Sequence, residues 1–182
     1  TTTGEEWAAA GSGRSCTYYT DREGANVTND RCDPNGPRGA ANQANLERQE
    51  AKIVAAINAI DADVISLEEI ENSAAFGLDR DAALATLVAA LNEQAGADHW
   101  AYVPSPEVLP ASEDVIRTAF IYQPDSVETV GQSVIHDDDV AFSNAREPLA
   151  QAFRPAGGAD EDAFAVVVNH FKSKSPSGAP SS

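Results

Sequence analysis

The chain has 182 residues, of which 29 are acidic and 12 are basic, and its formal net charge at pH 7 is −17. With 42% hydrophobic residues it can bury a sizeable core, and this length favours a single domain. The acidity disfavours broad attachment to nucleic acid or anionic lipid, but not a local cleft that handles phosphate through a metal ion and a few cations. No run approaches the roughly 20 apolar residues that span a bilayer, so no membrane span is predicted.

Residues 1–42 are dense in Gly, Asn, Asp and Thr and show no sustained periodicity, which predicts a long surface loop. Cys16 and Cys32 are the only cysteines. A disulfide between them would close this loop, stabilise the fold by about 3 kcal/mol and indicate an oxidising compartment. Two free thiols, or a zinc site lacking a neighbouring His, are the alternatives. The first residues lack the basic and apolar regions of an intact signal peptide, which is compatible with one already removed.

Two helices are predicted from hydrophobic periodicity, over 42–60 and 78–96. Gly96 fits a C-cap of the second helix. The apolar stripe of the first helix is predicted to be Leu46, Ile53, Ile57 and Ile60. The stripe of the second is predicted to be Leu84, Leu87, Val88 and Leu91.

Short β-type runs account for most of the remaining chain. VISL (64–67), between the helices, fits a central strand that is covered on both faces. After residue 98 come HWAYV (99–103), VIRTAFIY (115–122), SVETV (126–130), LAQAF (149–153) and AFAVVV (163–168). This order favours an α/β fold, a layered sandwich with mixed sheets, over a regularly alternating parallel one.

The first candidate for chemistry is the acidic end of VISLEEIEN (64–72). An apolar strand that ends in carboxylates places them at the sheet edge where α/β proteins bind ligands. Strand alternation predicts Glu69 and Glu71 on one side and Glu68 on the other. Carboxylate oxygens suit a divalent cation, Mg²⁺ first, with Ca²⁺ or Mn²⁺ as alternatives. A solvated acidic turn is the competing interpretation.

Two further candidates lie near the carboxyl end of the chain. Arg146 precedes an extended run, where its planar guanidinium fits a phosphate, although a surface ion pair would explain it equally well. His170 follows an apolar strand and can serve as a general acid or base, although many such histidines are structural. Lys172 and Lys174 alternate with His170 and would share its side if the strand continued.

Four stretches in order, VISLEEIEN, DVIRTAFIYQPDSV, AREPLAQAFRP and VVVNHFKSKS, resemble the endonuclease/exonuclease/phosphatase superfamily. The closest likeness is to secreted bacterial extracellular nucleases, distant relatives of pancreatic deoxyribonuclease. The resemblance implies part of a four-layer α/β/β/α fold and a divalent-metal-dependent nuclease. It implies these roles: Glu69 binds metal, Arg146 and His170 are catalytic together with a recurrent acid at Asp114, and Asn169, Lys172 and Lys174 are substrate-side neighbours.

The family pattern departs from this chain at both ends. An opening strand with an Asn, a Gly-Asp-x-Asn motif and a closing Ser-Asp-His are not found. The interpretation is a stapled loop region (1–42), the first part of the domain (43–175) and a flexible tail or truncation point (176–182). As an isolated fragment the chain is then expected to be inactive and to require the remainder of its own domain as partner.

The leading hypothesis is therefore a secreted nuclease that cleaves extracellular DNA, with RNA as the other possible substrate. A phosphomonoesterase or phospholipid phosphodiesterase of the same fold remains an alternative, because leaving-group specificity depends on loops. A non-catalytic binding module on a cell surface is the alternative from a different class. The metal and the endo- or exonucleolytic mode stay open.

Overall fold

The structure, a computed structural model, describes residues 1–138, 142 and 146–171. Three α-helices are present in this part of the chain: α1 (Gly4–Ala9), α2 (Gln43–Ile60) and α3 (Ala82–Ala95). The two longer helices confirm the prediction from periodicity. Gly96 caps α3, as predicted, and its N–H donates to the carbonyl oxygen of Asn92. None of the helices in the described ranges is long and apolar enough to cross a membrane.

Eight strands form three small sheets, and every pairing within the described residues is antiparallel. The strands are β1 (Ser15–Thr20), β2 (Asn26–Asp33), β3 (Val64–Glu71), β4 (Ala101–Tyr102), β5 (Ile116–Tyr122), β6 (Val127–Ile135), β7 (Leu149–Pro155) and β8 (Phe164–Val168). The strand orders are β1-β2, β3-β5-β4 and β6-β7-β8. The α/β class is confirmed, whereas mixed pairing is not seen in the described ranges and the four-layer arrangement stays a prediction.

Strand β5 joins two hydrophobic clusters because its side chains alternate between two faces. Ala119 and Ile121 pack with α2, α3 and Trp100 on one face. Phe120, between them, packs on the other face with residues of β6, β7 and β8, including Phe153, whose ring it meets edge to face. Helices α2 and α3 and both larger sheets are therefore held together through one strand that is buried up to its last residue, Tyr122.

The predicted apolar stripe of α2 is only partly correct. Val54 and Ile57 are buried against the core, whereas Ile53 and Ile60 are 47% and 63% exposed. Leu46 is half-buried. The buried face is thus rotated toward Val54, because packing against α3 and the sheet selects the face and the sequence offers apolar residues on more than one. For α3, the predicted stripe is confirmed: three of its residues are buried and Leu87 packs beside them.

The N-terminal region differs from the predicted loop. It forms α1 and a β1-β2 hairpin in which Cys16 and Cys32 are direct cross-strand partners joined by a disulfide. The disulfide is confirmed, but the loop prediction is wrong. Both strands are largely polar, β1 is mostly exposed and β2 mostly half-buried, so they carry little of the apolar alternation from which strands are predicted.

The VISL run does lie in a strand, β3, but not in a central one. Within the described ranges, β3 pairs with β5 alone and lies at the edge of its sheet. Its side chains are half-buried or exposed and none is fully buried. The edge position leaves the acidic end of β3 open to solvent.

Candidate active site

Four of the predicted site residues meet at one end of the two larger sheets. The carboxyl end of β3 lies opposite the amino end of β5, and the amino end of β7 lies opposite the carboxyl end of β8. Asp114 precedes β5 and Arg146 precedes β7, while His170 follows β8. Two contacts then link the sheets: Glu69 with His170, and Asp114 with Arg146.

Glu69 lies in a β-bulge. Leu67 pairs with Ala119 and Ile70 with Arg117, so two residues of β3 lie opposite one of β5. Glu69 has a φ of 60°, a left-handed conformation that costs a non-glycine residue about 1–2 kcal/mol. Bulges of this kind re-aim side chains and are common beside active sites.

The bulge overturns the predicted alternation of the acidic end. The Glu69 side chain is 68% exposed, whereas that of Glu71 is only 10% exposed. The Glu71 carboxylate accepts hydrogen bonds from the Thr2 backbone N–H at 2.7 Å and from the Ser73 hydroxyl at 3.0 Å. Glu71 is thus satisfied inside the fold, and Glu69 is the carboxylate presented outward.

His170 lies against Glu69 from the other sheet. Its Nε2 atom is 3.5 Å from Glu69 Oε1, a close polar contact rather than a short hydrogen bond. The imidazole is only 11% exposed, and its buried Nδ1 atom has no hydrogen-bond partner among the residues that the structure describes. The ring is therefore held in place by burial, with its Nε2 edge directed at the carboxylate.

Asp114 is the anchor of the site. Its Oδ2 atom accepts from Arg146 Nη2 at 2.7 Å, and its Oδ1 atom accepts from Arg38 Nη2 at 2.9 Å and from the Val115 N–H at 2.7 Å. The Asn72 side chain, 3% exposed, donates to the Asp114 carbonyl oxygen at 3.1 Å and so ties this segment to β3. One carboxylate therefore fixes two guanidinium groups.

Sequence reasoning missed Arg38. It lies 76 positions from Asp114, between a Pro and a Gly in a segment that was predicted as loop. No local pattern distinguishes it from other exposed arginines. Only the fold brings it to Asp114, so nothing in the sequence alone would have found it.

Arg146 keeps donor capacity beyond its ion pair. The side chain is 24% exposed, and its buried Nε atom has no acceptor within the described ranges. A planar guanidinium that is held at Nη2 and is partly exposed suits an oxyanion such as phosphate. The predicted role of Arg146 is compatible with this geometry.

A second charged cluster lies beside Asp114 but is closed. Arg117, 7% exposed, donates to Asp81 at 2.6 Å, and Arg80 binds Glu113 through two of its nitrogens. Burial is the main cause that lowers the pKa of Arg117, and the nearby Arg80 lowers it further. The Ser105 backbone N–H and hydroxyl also donate to Asp81. Apart from Arg117 Nε, which has no acceptor within the described ranges, these groups pair with one another, and none of them is assigned a role in binding.

Glu69 borders a groove of about 410 Å³ whose walls are mainly apolar. Arg38 lines it too, with the carboxylates of Glu50, Glu68 and Glu71. The described residues contain no group of three His, Cys, Asp or Glu side chains that could hold a metal ion. Mg²⁺ commonly binds through one or two carboxylates, water and substrate phosphates, so the exposed Glu69 carboxylate fits a partial ligand set of that kind.

The three predicted substrate-side residues are only partly located. Asn169 directly follows β8 and is half-buried beside His170. Lys172 and Lys174 lie outside the described residues. Their predicted contribution of positive charge stays a prediction.

No protein-family model matches the chain. A search of curated proteins likewise found none that matches it significantly. Any function assigned to this site therefore depends on its geometry and on the four sequence motifs.

Proposed function

We propose that this chain carries the catalytic residues of a divalent-metal-dependent phosphodiester hydrolase whose substrate is DNA. The supporting observation is the contact of Glu69 with His170, which come from different sheets and lie 101 positions apart in sequence. At the same end of the sheets Asp114 holds Arg146. A carboxylate, an imidazole and a guanidinium supply three of the functions that phosphodiester hydrolysis requires.

Each residue of the site is assigned a role that follows from its chemistry. Arg146 would donate to the non-bridging oxygens of the scissile phosphate through nitrogens that Asp114 does not use. His170, fixed by burial, would give a proton to the leaving oxygen. Glu69 would hold the divalent cation, which when bound neutralises charge that develops on the phosphate. Asp114 would act as a positioning residue.

Secretion is part of the same proposal. The Cys16–Cys32 disulfide favours an oxidising environment, since reducing compartments rarely maintain such bonds. The strongly acidic composition supports solubility outside the cell. DNA free in the surroundings is then the polymer that such an enzyme would meet.

The direct test is hydrolysis by the complete gene product that contains these residues. Supercoiled plasmid DNA, RNA, a nucleotide monoester and sphingomyelin would each be incubated with Mg²⁺, Ca²⁺ or Mn²⁺, and with a chelator. We expect divalent-dependent plasmid cleavage that exceeds turnover of the other substrates. Turnover of the monoester or of sphingomyelin alone would reassign the substrate, and binding of DNA without turnover would favour the non-catalytic module.

A pair of histidine variants links the activity to this site. His170→Ala is expected to lower plasmid cleavage by about 10²–10³-fold, the loss typical of a group that stabilises the transition state. His99→Ala is the matched control, because His99 also lies 3.5 Å from a carboxylate, that of Asp61, far from the site in the fold. Equal losses in both variants would contradict the assignment of His170.

A further inference from the structure

We propose that Arg38, which the disulfide-bonded hairpin carries into the site, is a second residue that binds the phosphate backbone of the substrate. The inference rests on the proposed function and deepens it. Its starting point is the carboxylate of Asp114, on which Arg38 and Arg146 converge from opposite oxygens. Two positive groups on one carboxylate leave a surplus positive charge at this point of a protein whose net charge is −17.

Arg38 retains most of its donors. Within the part of the chain that the structure describes, its one hydrogen bond is from Nη2 to Asp114, and its side chain is 51% exposed. Arg38 also lines the groove that Glu69 borders. A guanidinium has five N–H donors in a planar fork, so the unused edge of Arg38 matches two oxygens of a phosphodiester.

The backbone around Arg38 is fixed by the hairpin. The Pro37 carbonyl oxygen accepts from the Asn29 side chain at 3.1 Å, and the Gly39 carbonyl oxygen accepts from the Asn29 N–H at 2.9 Å and the Thr28 hydroxyl at 2.8 Å. Hydrogen bonds from β2 therefore hold the carbonyl groups immediately before and after Arg38. A group that is held in place before binding loses less conformational entropy when it binds.

The alternative is an ion pair that only joins the hairpin to β5. Such an exposed pair stabilises a protein by only about 0–1 kcal/mol, so stability alone explains the arrangement poorly. Arg31, on the hairpin itself, illustrates the ordinary case: it is 75% exposed and pairs with Asp33 on its own strand. Arg38 instead reaches across to the residue that holds Arg146.

The groove contains opposing charge as well. Four carboxylates line it, those of Glu50, Glu68, Glu69 and Glu71, and they repel a polyanion. A guanidinium near the groove offsets part of this repulsion at the place where the phosphate backbone of the DNA approaches. Each such group therefore contributes more to DNA affinity here than it would on a neutral surface. Arg38 lies at the border between these carboxylates and Asp114.

The experiment measures affinity separately from catalysis. A short, fluorescein-labelled phosphorothioate DNA duplex, chosen because it resists cleavage, is titrated with the complete gene product and followed by fluorescence anisotropy at several salt concentrations. Arg38→Ala should raise Kd by about tenfold, as expected for loss of a charge-assisted hydrogen bond. It should also reduce the slope of log affinity against log salt by about one.

Arg31→Ala is the matched control and should change Kd by less than about twofold, since its pair is local and exposed. Arg38→Gln keeps a hydrogen-bonding side chain without charge and should behave like Arg38→Ala, so the test survives if the alanine variant folds poorly. Arg38→Lys should recover part of the affinity and the salt slope. The proposal would be overturned if both neutral Arg38 variants bound the duplex with the same Kd as Arg31→Ala. It would also be overturned if the wild-type protein did not bind the duplex.

The two proposals fail in different ways. Weakened binding in the Arg38 variants without any divalent-dependent cleavage by the wild type would support Arg38 as a phosphate-binding residue and reject the hydrolase. Cleavage that depends on His170, together with normal binding by the Arg38 variants, would support the hydrolase and reject the role of Arg38.

Discussion

Asp81 and Asp114 both pair with arginines, but the Asp81 pair is buried and the Asp114 pairs are partly exposed. Asp81, 14% exposed, accepts from Arg117 and from two donors of Ser105, and Arg117 is itself buried. Asp114 is 29% exposed, and its two arginines, Arg38 and Arg146, are 51% and 24% exposed, against 7% for Arg117. Charged networks that are buried on all sides hold a fold in one arrangement. A network that is open on one side can also bind a ligand, and that difference separates the structural cluster from the candidate site.

The largest effect is expected from breaking the closed cluster. Asp81→Asn should destabilise the protein by about 4 kcal/mol, because it leaves the Arg117 guanidinium buried without its counter-charge. Urea denaturation followed by circular dichroism would measure the change. A loss below about 1 kcal/mol would mean that the cluster behaves like a surface ion pair, and the contrast with Asp114 would disappear.

Loss of the Cys16–Cys32 bond should have the next largest effect. The bond spans 16 positions, and in the chain-entropy model its reduction costs about 3 kcal/mol. Because the hairpin carries Arg38, reduction should also weaken binding of the DNA duplex. The unfolding midpoint with and without reductant tests this, and the Cys16→Ser/Cys32→Ser double variant, which reductant should not affect, is the control. An oxidised and a reduced protein of equal stability would contradict the prediction.

Asp114→Asn should show the opposite pattern to Asp81→Asn. Stability should change by less than about 1 kcal/mol, since partly exposed ion pairs contribute little. Cleavage at saturating DNA should fall by on the order of tenfold, because both guanidiniums keep their charge but lose their orientation. The measurement is kcat and KM for DNA cleavage beside urea denaturation. A rise in KM with unchanged kcat would indicate a role in binding rather than in positioning.

The smallest effect concerns a carboxylate that is satisfied within its own helix. Glu6 and Thr3 form a capping box at the start of α1, and the backbone and side-chain hydrogen bonds of Thr3 lower the pKa of Glu6 below 4.5. Because the pKa of Glu6 is lower in the folded state than in the unfolded state, its ionised form stabilises the fold at pH values above the unfolded-state pKa. This contribution is lost as pH falls through the folded-state pKa. Thr3→Ala should cost about 1 kcal/mol near neutral pH and less in acid. Unfolding at several pH values checks the sign, and a constant difference would contradict it.

The sequence predicted the elements with strong periodicity. Both long helices and the five strand runs after residue 98 were confirmed, because each carries an apolar pattern that the core requires. The β1-β2 hairpin was missed because its strands are polar on both faces. The face of α2 was misassigned because Ile53 and Val54 are adjacent and both apolar, and only tertiary packing decides which one is buried.

The candidate site was predicted residue by residue but not in its geometry. Motif order pointed to Glu69, Arg146, His170 and Asp114. In the structure Glu69 contacts His170, and Arg146 pairs with Asp114. The outward turn of Glu69 depends on a bulge that strand alternation cannot foresee. Arg38 could not be predicted either, because its partner is distant in sequence and its own segment has no repeating pattern.

The most direct test of the phosphodiesterase centre compares two neighbouring glutamates. Glu68 and Glu69 both lie in the bulge and both line the groove, but only Glu69 contacts His170. With Mg²⁺ and supercoiled plasmid, the initial cleavage rate of Glu69→Gln should fall by about 10²–10³-fold, whereas Glu68→Gln should stay within about twofold of the wild type. Equal rates for the two variants, or full activity in Glu69→Gln, would contradict the assignment of this site.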